Sequence, residues 1–373
     1  MSAAPEIPIA NVYHLLCYAS GYLGFEADAE VERDDHSGYT ALLLKVLNHG
    51  CTHLLKQGLH RDYRAETESM PAIRGKLELS HSLATGGLSR GIAVCTHDAF
   101  TADVLANQIL KSVLLRCAGM PGLDEKLADA SRRVALRMSE VSRIEVDIRL
   151  FNRVKLHRNN AYYGFLLFLC RLLVESLSVR ELQEDWETVE QRFHRSLSDK
   201  LPALFEAFVR NFYRTHLGRE GWSRFDAQHI DWQWTPLNSG ASGLLPKMKT
   251  DVTLEHPDRK IILDTKFYRS GGLSEHFERL TFESANLYQL HAYVTQLSRQ
   301  AESRASSGDR LAHPHDRDAE GMLLYASTRE EEFLHAYWMA PHRMVVASVD
   351  LARPWRDIEA RLLDLIRPAA PAA

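Results

Sequence analysis

The sequence predicts three regions: an N-terminal α+β module, a helical connector, and a C-terminal α/β domain with a central mixed sheet flanked by helices. Residues 1–100 mix short apolar runs with glycines and polar turns, and residues 101–198 repeat apolar side chains at helical spacing. Residues 199–373 alternate helical patterns with a charged β-hairpin. A chain of 373 residues that is 45% hydrophobic and 25% charged is long enough for two or three cores.

The composition excludes several classes of protein. No stretch approaches the roughly 18 uninterrupted apolar residues of a membrane span, and the N-terminus has no basic start before an apolar run, so we expect a cytoplasmic protein with no membrane segment. The five cysteines form no CxxC pair, which predicts neither a disulfide framework nor a zinc site. His313 and His315 lie in a polar segment without a placed carboxylate nearby, so we do not expect them to bind metal.

The net charge of −4 argues against a protein that coats nucleic acid by bulk electrostatics. A local basic groove stays possible, because basic residues cluster in one short segment; a solvated charged hairpin is the alternative reading. The cluster consists of Lys247, Lys249, Arg259, Lys260, Lys266 and Arg269.

In the N-terminal module we expect a helix from Tyr39 to Lys56, followed by β-rich structure. As a set, the basic residues of that β-rich segment are a candidate partner interface, although each alone is compatible with solvated β-surface. They are Arg61, Arg64, Arg74 and Lys76. The connector contains a strongly apolar helix from Tyr162 to Leu177 that we expect to be buried in protein, since its Arg171 argues against lipid.

The C-terminal domain should open with a helix that starts near Asp199, with Ser198 or Asp199 as its cap and Pro202 in its first turn. Its apolar stripe includes Phe205 and Phe208. The elements expected to follow are a strand from His229 to Trp234, a hairpin from Lys249 to Tyr268, a helix from Phe282 to Arg299, a polar loop over residues 301–320 and a strand from Met322 to Ala326.

The hairpin carries the residues that indicate chemistry. The two-residue period of a strand places Asp264 and Lys266 on one face, while Leu263 and Thr265 point to the other, apolar face. A hairpin that turns at His256-Pro257-Asp258 can bring Asp251 beside Asp264. Two carboxylates and one lysine would then converge at one site.

This grouping suits the hydrolysis of a phosphodiester. Carboxylate oxygens hold Mg²⁺, with Mn²⁺ as a substitute, and leave coordination positions for water and a phosphate oxygen. We expect Asp251 and Asp264 to bind the metal. Lys266, close to the metal, could have a lowered pKa and orient or deprotonate the attacking water.

Asp251 and the sequence Asp264-Thr265-Lys266 resemble the D…DxK core of the PD-(D/E)xK nuclease superfamily, which implies a restriction-endonuclease-like fold. Thr250 stands where the name of the pattern has proline. The resemblance implies that Glu206, on the preceding helix, is a further metal ligand, and that Gln289 and Tyr293 support the substrate or Lys266; the pair are four residues apart and share a helix face. Read without the resemblance, all three are compatible with ordinary helix positions.

Segments along nearly the whole chain are similar to the McrC family: IPIANVYHLLCYA, GLHRDY, IRGKLEL, DVLANQILK and HRNNAYYGFLLFLCRLL. The resemblance implies the endonuclease subunit of a modification-dependent restriction system for phage defence. Its N-terminal module would dock on an McrB-type AAA+ GTPase ring that reads methylated cytosine, and its C-terminal domain would cut double-stranded DNA. The sequence contains no GxxxxGK[ST] phosphate loop, so we expect no nucleotide to be bound by this chain alone.

Two other functions stay open at the level of sequence. One is a PD-(D/E)xK nuclease that acts without a partner, for instance on branched or damaged DNA. The other is a non-catalytic structural subunit that uses a decayed nuclease fold within an AAA+ complex; the presence of Asp251, Asp264 and Lys266 together counts against decay.

Overall fold

A computed structural model describes residues 7–19, 38–155, 161–176, 186–235, 237, 244–268, 273–276, 279–308, 313–328 and 331–367. The described helices are α1 Ile9–Ala19, α2 Tyr39–Gln57, α3 Leu79–Ala84, α4 Leu105–Cys117, α5 Glu125–Arg137, α6 Ile148–Phe151, α7 Ala161–Ser176, α8 Trp186–Leu217, α9 Ser284–Ser306 and α10 Trp355–Ile366. The described strands are β1 Asp62–Met70, β2 Lys76–Leu77, β3 Ala93–Thr101, β4 His229–Ile230, β5 Met248–Lys249, β6 Val252–His256, β7 Arg259–Phe267, β8 Leu273–His276, β9 Arg279–Phe282, β10 Glu320–Ser327, β11 Leu334–Met339 and β12 His342–Asp350. Two short 3-10 helices cover Leu88–Arg90 and Pro314–Asp316.

The chain divides into two compact units, one of residues 37–197 and one that combines residues 1–36 with 198–373. The second part of the combined unit begins at residue 198, within α8, and the sequence predicts the C-terminal domain from residue 199. The remaining division differs from the expected one, because residues 37–100 and 101–197 form a single unit and α1 belongs with the C-terminal residues. Asn11 of α1 explains the second difference, since its side-chain amide donates hydrogen bonds to the carbonyls of Leu351 and Arg353.

The unit of residues 37–197 combines a three-stranded antiparallel sheet, in the order β1-β3-β2, with helices α2, α4, α5 and α7 packed on one another. The predicted helices over Tyr39 to Lys56 and Tyr162 to Leu177 are confirmed, with bounds within one residue. The four basic residues of the candidate partner interface are all exposed, and three of them form ion pairs. These are Arg61 with Glu140, Arg64 with Asp103, and Lys76 with Glu78.

The larger unit is built on a five-stranded mixed sheet in the order β11-β12-β10-β7-β6. Strand β10 runs parallel to both β7 and β12, while β6 and β11 are antiparallel to their neighbours at the two edges. The parallel pair β7 and β10 requires a crossover connection, and α9 lies between them in sequence. The predicted mixed sheet flanked by helices is therefore confirmed.

Helices cover both faces of this sheet. On one face α9 packs its apolar stripe against β7, β10 and β12 through Leu290, Val294, Leu297, Ile262, Leu323 and Val346. On the other face Phe205 of α8 contacts Phe267 of β7, whose side chain alternates with those that face α9. The Tyr213 hydroxyl of α8 donates to the Leu362 carbonyl and joins α10 to the same layer.

The prediction that a helix starts near Asp199 is wrong. Helix α8 begins at Trp186, and Pro202 lies inside it. A proline within a helix removes one backbone hydrogen bond. The continuous burial of Leu201, Leu204 and Phe205 shows that tertiary packing outweighs this loss.

The predicted polar loop over residues 301–320 is wrong in part. Helix α9 continues to Ser306, and a 3-10 turn at Pro314–Asp316 follows residues 309–312, which lie outside the described residues. Asp316 is buried, and its carboxylate forms an ion pair with Lys260 of β7. This part of the predicted loop therefore packs into the interior of the domain. The strand predicted from His229 to Trp234 is limited to His229–Ile230. Among the described residues, no helix is both long enough and apolar enough to cross a membrane.

Candidate active site

The β6–β7 hairpin places Asp251 next to Asp264, as the sequence predicts. Val252 pairs with Leu263, and the same antiparallel register carried one residue further puts position 251 opposite 264. Thr265 fixes the Asp251 carboxylate, because its backbone N–H and its hydroxyl both donate to Oδ2, at 2.7 and 2.8 Å. Among the described residues, no hydrogen bond involves the other oxygen of Asp251, Oδ1.

Asp264 lies in the second half of β7, three residues before the strand ends, and is fully buried. Its Oδ2 is 2.6 Å from the Lys266 ammonium, while its Oδ1 is buried without a hydrogen-bond partner among the described residues. Burial, and then the charge of Asp251, raise the pKa of Asp264 to about 6. A buried carboxylate oxygen without a partner is costly for a protein unless a ligand satisfies it.

The face of β7 that carries Asp264 is only partly polar. Ile262 points the same way and packs into the core beneath α9, which corrects the expectation that one face is apolar and the other charged. Helices cover both faces of a central strand, so both faces are buried. The polar site occupies only the end of β7 near Asp264 and Lys266.

Lys266 is held by groups from α9. Its ammonium donates to the Gln289 side-chain oxygen at 3.1 Å, and the Gln289 amide donates to the Tyr293 hydroxyl at 2.7 Å. Burial lowers the pKa of Lys266, but the carboxylates of Asp264 and Asp251 more than offset this, so its pKa lies above the ordinary value. The protein's own groups therefore raise the pKa of Lys266, whereas the sequence predicts that nearby metal ions lower it.

Glu206 of α8 pairs with Arg210, one turn further along the helix, and interacts electrostatically with Asp251. Burial, and then the charge of Asp251, raise the pKa of Glu206, while Arg210 and Lys249 oppose the increase. The charge of Glu206 also contributes to the raised pKa of Asp264. All six residues predicted for the site are therefore joined by direct contacts or by electrostatic interaction.

The described residues fit a divalent metal through two carboxylates rather than three. No group of three or more His, Cys, Asp or Glu side chains in the described part of the chain is arranged to bind a metal. The free oxygen of Asp251 and the unpartnered Oδ1 of Asp264 are hard oxygen donors of the kind Mg²⁺ prefers, and few protein ligands are typical for that ion.

Several supporting residues were missed by sequence reasoning. Asn286 of α9 is buried, and its amide lies 3.1 Å from the Tyr325 hydroxyl and 3.4 Å from that of Tyr268 at the end of β7. The Tyr325 and Tyr268 rings are neighbours, with centroids 5.8 Å apart. Asn286 lies three residues before Gln289, so helical spacing was the one available sign that it faces the same site.

The basic cluster does not form a continuous groove among the described residues. Arg259 forms an ion pair with Glu320, and Lys260 is buried between Glu255 and Asp316. Lys247 and Lys249 are exposed, and Arg269 lies outside the described residues. Three of the five described residues of the cluster, Arg259, Lys260 and Lys266, are therefore used inside the fold or at the site.

The fold and the site define a class: an α/β domain with a mixed sheet that presents two carboxylates and a lysine at the end of a central strand. A sequence model of the McrBC 5-methylcytosine restriction system component matches residues 10–303. The chain belongs to this family.

Two comparisons describe its relatives. The chain is 27% identical over 361 residues to a type IV methyl-directed restriction enzyme, EcoKMcrBC, of Escherichia coli strain K12, which covers 97% of each chain. It is also similar to a chain in a refined half-complex from a tetradecameric assembly of Thermococcus gammatolerans McrB AAA+ hexamers with bound McrC. That likeness has a TM-score of 0.50 at 17% identity and covers 96% of this chain and 76% of the other, so it supports the fold.

Proposed function

We propose that this chain is the Mg²⁺-dependent endonuclease subunit of an McrBC-like restriction complex directed to 5-methylcytosine in DNA. The observation that carries the proposal is the convergence of Asp251, Asp264 and Lys266 at the end of one buried strand. Their arrangement is consistent with the PD-(D/E)xK pattern. Membership of the family and the methyl-directed relative support restriction of modified DNA as its setting.

In this proposal Asp251 and Asp264 would hold the metal, and Glu206 would assist them. When bound, the ion supplies polarisation of a phosphate oxygen and activation of a water molecule. Thr265 keeps Asp251 oriented through its two hydrogen bonds. Protonated Asp264 cannot serve as a ligand, so protons compete with the metal, and in the metal-free protein this competition begins as the pH falls toward the Asp264 pKa of about 6.

Lys266 would hold its proton and act as a donor to the phosphate or to the attacking water. The ion pair with Asp264, at 2.6 Å, favours the protonated lysine in this role. Gln289 and Tyr293 form a short chain of hydrogen bonds that limits where the ammonium can lie. A lysine fixed in this way contributes positive charge where the transition state develops negative charge.

The proposed partner is an AAA+ GTPase ring that resembles McrB. The similar chain comes from an assembly of McrB AAA+ hexamers with bound McrC, and this sequence has no phosphate loop of its own. We assign ring docking to the unit of residues 37–197. Strand β1 of this unit is exposed. Arg61 lies just before the strand and Arg64 lies within it, and exposed arginines are favoured at contacts with other proteins.

The test is cleavage of methylated and unmethylated plasmid by the chain with its GTPase partner, GTP and Mg²⁺. We expect partner-dependent cleavage of the methylated plasmid, with Mn²⁺ able to replace Mg²⁺. Asp264→Ala and Lys266→Ala should each lower the rate by about a thousandfold or more without preventing assembly. Arg219→Ala, at an exposed residue past the C-terminal end of α8, is the control and should cut at the normal rate.

Three outcomes would redirect the proposal. Cleavage by the chain alone, with turnover, would favour a nuclease that acts without a partner. GTP hydrolysis by an intact complex without any cleavage would favour a structural subunit. Cleavage that survives both site substitutions would place the chemistry elsewhere.

A further inference from the structure

Glu206 and Arg210 lie one turn apart on the same face of α8, and Glu206 is close enough to Asp251 to interact with it electrostatically. Their side chains form an ion pair, and each is only partly exposed, at 32% and 26%. The backbone beneath them is fixed, because Phe205 and Val209 of the same helix are fully buried. Any change in the position of the Glu206 carboxylate must therefore come from rotation of its side chain.

The Glu206 carboxylate interacts with charges of both signs. Arg210 and Lys249 attract it, and Asp251 repels it. Two carboxylates, Asp251 and Asp264, already face one another at the site, and the described residues bring no third ligand into a metal-binding group with them. Repulsion from Asp251 and attraction by Arg210 both favour the ion pair with Arg210 over a position beside Asp251.

A divalent ion at Asp251 and Asp264 would reverse this balance, because two positive charges would then lie beside the two carboxylates that repel Glu206. We propose that Arg210 is a positioning residue that holds Glu206 outside the metal site, and that metal binding transfers the Glu206 carboxylate from the guanidinium to the ion. This inference rests on the proposed function, since it needs a metal at Asp251 and Asp264. In this inference, Arg210 and the metal compete for the Glu206 carboxylate.

The competition predicts that loss of Arg210 tightens metal binding rather than weakening it. A partly exposed ion pair within one helix is weak, so the expected change is modest: Arg210→Gln should bind Mn²⁺ about fivefold more tightly. Glu206→Gln should bind Mn²⁺ about tenfold more weakly, because it loses a ligand. In the Glu206→Gln background, Arg210→Gln should change the affinity by less than about twofold, since there is no carboxylate left to release.

The experiment is a titration of Mn²⁺ alone into the full chain. Binding is measured by calorimetry and, independently, by the electron paramagnetic resonance signal of free Mn²⁺. The four proteins are wild type, the two single variants and the double variant. Arg210→Lys should return the affinity close to that of wild type, because a lysine keeps the charge within reach of Glu206. Arg214→Gln is the matched control. Arg214 lies one turn further along α8 and carries the same charge, but its side chain donates a hydrogen bond to Asn211 rather than to Glu206.

The outcomes separate this inference from the function on which it rests. If Arg210→Gln tightens Mn²⁺ binding equally with and without Glu206, or if Arg214→Gln has the same effect, then the cause is general charge and the inference is overturned. Unchanged or weaker binding by Arg210→Gln in a protein that melts normally also overturns it. If wild type binds Mn²⁺ no better than Asp264→Ala, the metal site itself fails and the inference fails with it. Tighter binding that requires Glu206 supports it.

Discussion

Among the described residues, the two largest sheets differ in whether their charged side chains are buried or exposed. In the five-stranded sheet, helices cover both faces of β7, so Lys260 and Asp264 are buried. In the three-stranded sheet, no residue of β1 is buried, and its charged side chains lie in solvent. A buried sheet holds charges in fixed positions at a cost in stability, whereas an exposed strand offers them to a partner at little cost.

The ion pairs of the two sheets make this difference concrete. The Lys260 ammonium has no exposed side-chain surface and lies 2.6 Å from Asp316 and 2.9 Å from Glu255. Lys76 of β2 forms a pair of similar length, 3.0 Å, with Glu78, but its side chain is 78% exposed. Similar distances should therefore correspond to very different contributions to stability.

The largest expected effect is the loss of Lys260. Lys260→Met should destabilise the larger unit by about 3–5 kcal/mol, because two carboxylates that are mostly buried lose their cation. Lys76→Met should leave the stability almost unchanged, because the solvent screens this exposed pair. Urea unfolding followed by tryptophan fluorescence measures the first effect, since five of the six tryptophans lie in the larger unit: Trp222, Trp232, Trp234, Trp338 and Trp355. Circular dichroism follows the Lys76 variant, and similar losses in both would contradict the comparison.

The next effect concerns Asp264, where the buried sheet carries a charge for function. Its pKa of about 6 lies above the ordinary value of 3.8, so the ionised carboxylate destabilises the fold above pH 6, by about 3 kcal/mol. This destabilisation fades as the pH falls through 6 and is absent below about pH 4. Without metal, Asp264→Asn should therefore be more stable than wild type at about pH 8, and the difference should shrink toward about pH 5.

Thermal melts in the presence of a chelator measure this difference, and addition of Mg²⁺ gives the internal control. Wild type should gain stability from Mg²⁺, because the ion binds the folded protein, while Asp264→Asn should gain little. A variant that is less stable than wild type at every pH would show that the ion pair with Lys266 outweighs the burial of the carboxylate.

Much of the buried site could be predicted from sequence, for a physical reason. The period of two residues in a strand and a tight turn together determine that Asp251 meets Asp264, and helical spacing puts Gln289 and Tyr293 on one face. The partners of Glu206 and Lys260 could not be predicted with the same rules. Whether a charged residue pairs with Arg210, with Asp316 or with solvent depends on tertiary contacts that leave no periodic pattern.

Helix boundaries show the same limit. Pro202 and the possible caps Ser198 and Asp199 match the start of a helix, yet the helix begins at Trp186. The polar residues 313–318 match a loop, yet Asp316 is buried against Lys260. In both places packing against the rest of the chain outweighs a local preference.

Substitutions in the exposed three-stranded sheet should change the affinity for a partner rather than the stability of the fold. Tyr63 of β1 is 70% exposed and contacts Phe100 of β3, and a large exposed aromatic pair on a strand is typical of a contact with another protein. Tyr63→Ala should weaken binding to the proposed GTPase ring by about 2 kcal/mol and lower the stimulation of GTP hydrolysis, while the melting temperature stays almost unchanged. Leu136→Ala, at a site 72% exposed on α5, is the control; equal losses in both variants would argue against a specific role for β1.

The smallest expected effect tests how rigidly the buried sheet must hold Lys266. Gln289→Ala removes the link between the ammonium and Tyr293 but leaves the ion pair with Asp264 in place. We expect kcat to fall by about tenfold, or about 1.4 kcal/mol in activation free energy, with little change in KM, because a loosened lysine is less often in position when the transition state forms. The adjacent Tyr288→Ala, at a residue 73% exposed on the same helix, should leave kcat unchanged. If Gln289→Ala cuts DNA at the normal rate, contact with Asp264 alone is enough to position Lys266, and the hydrogen bonds from α9 serve only the fold.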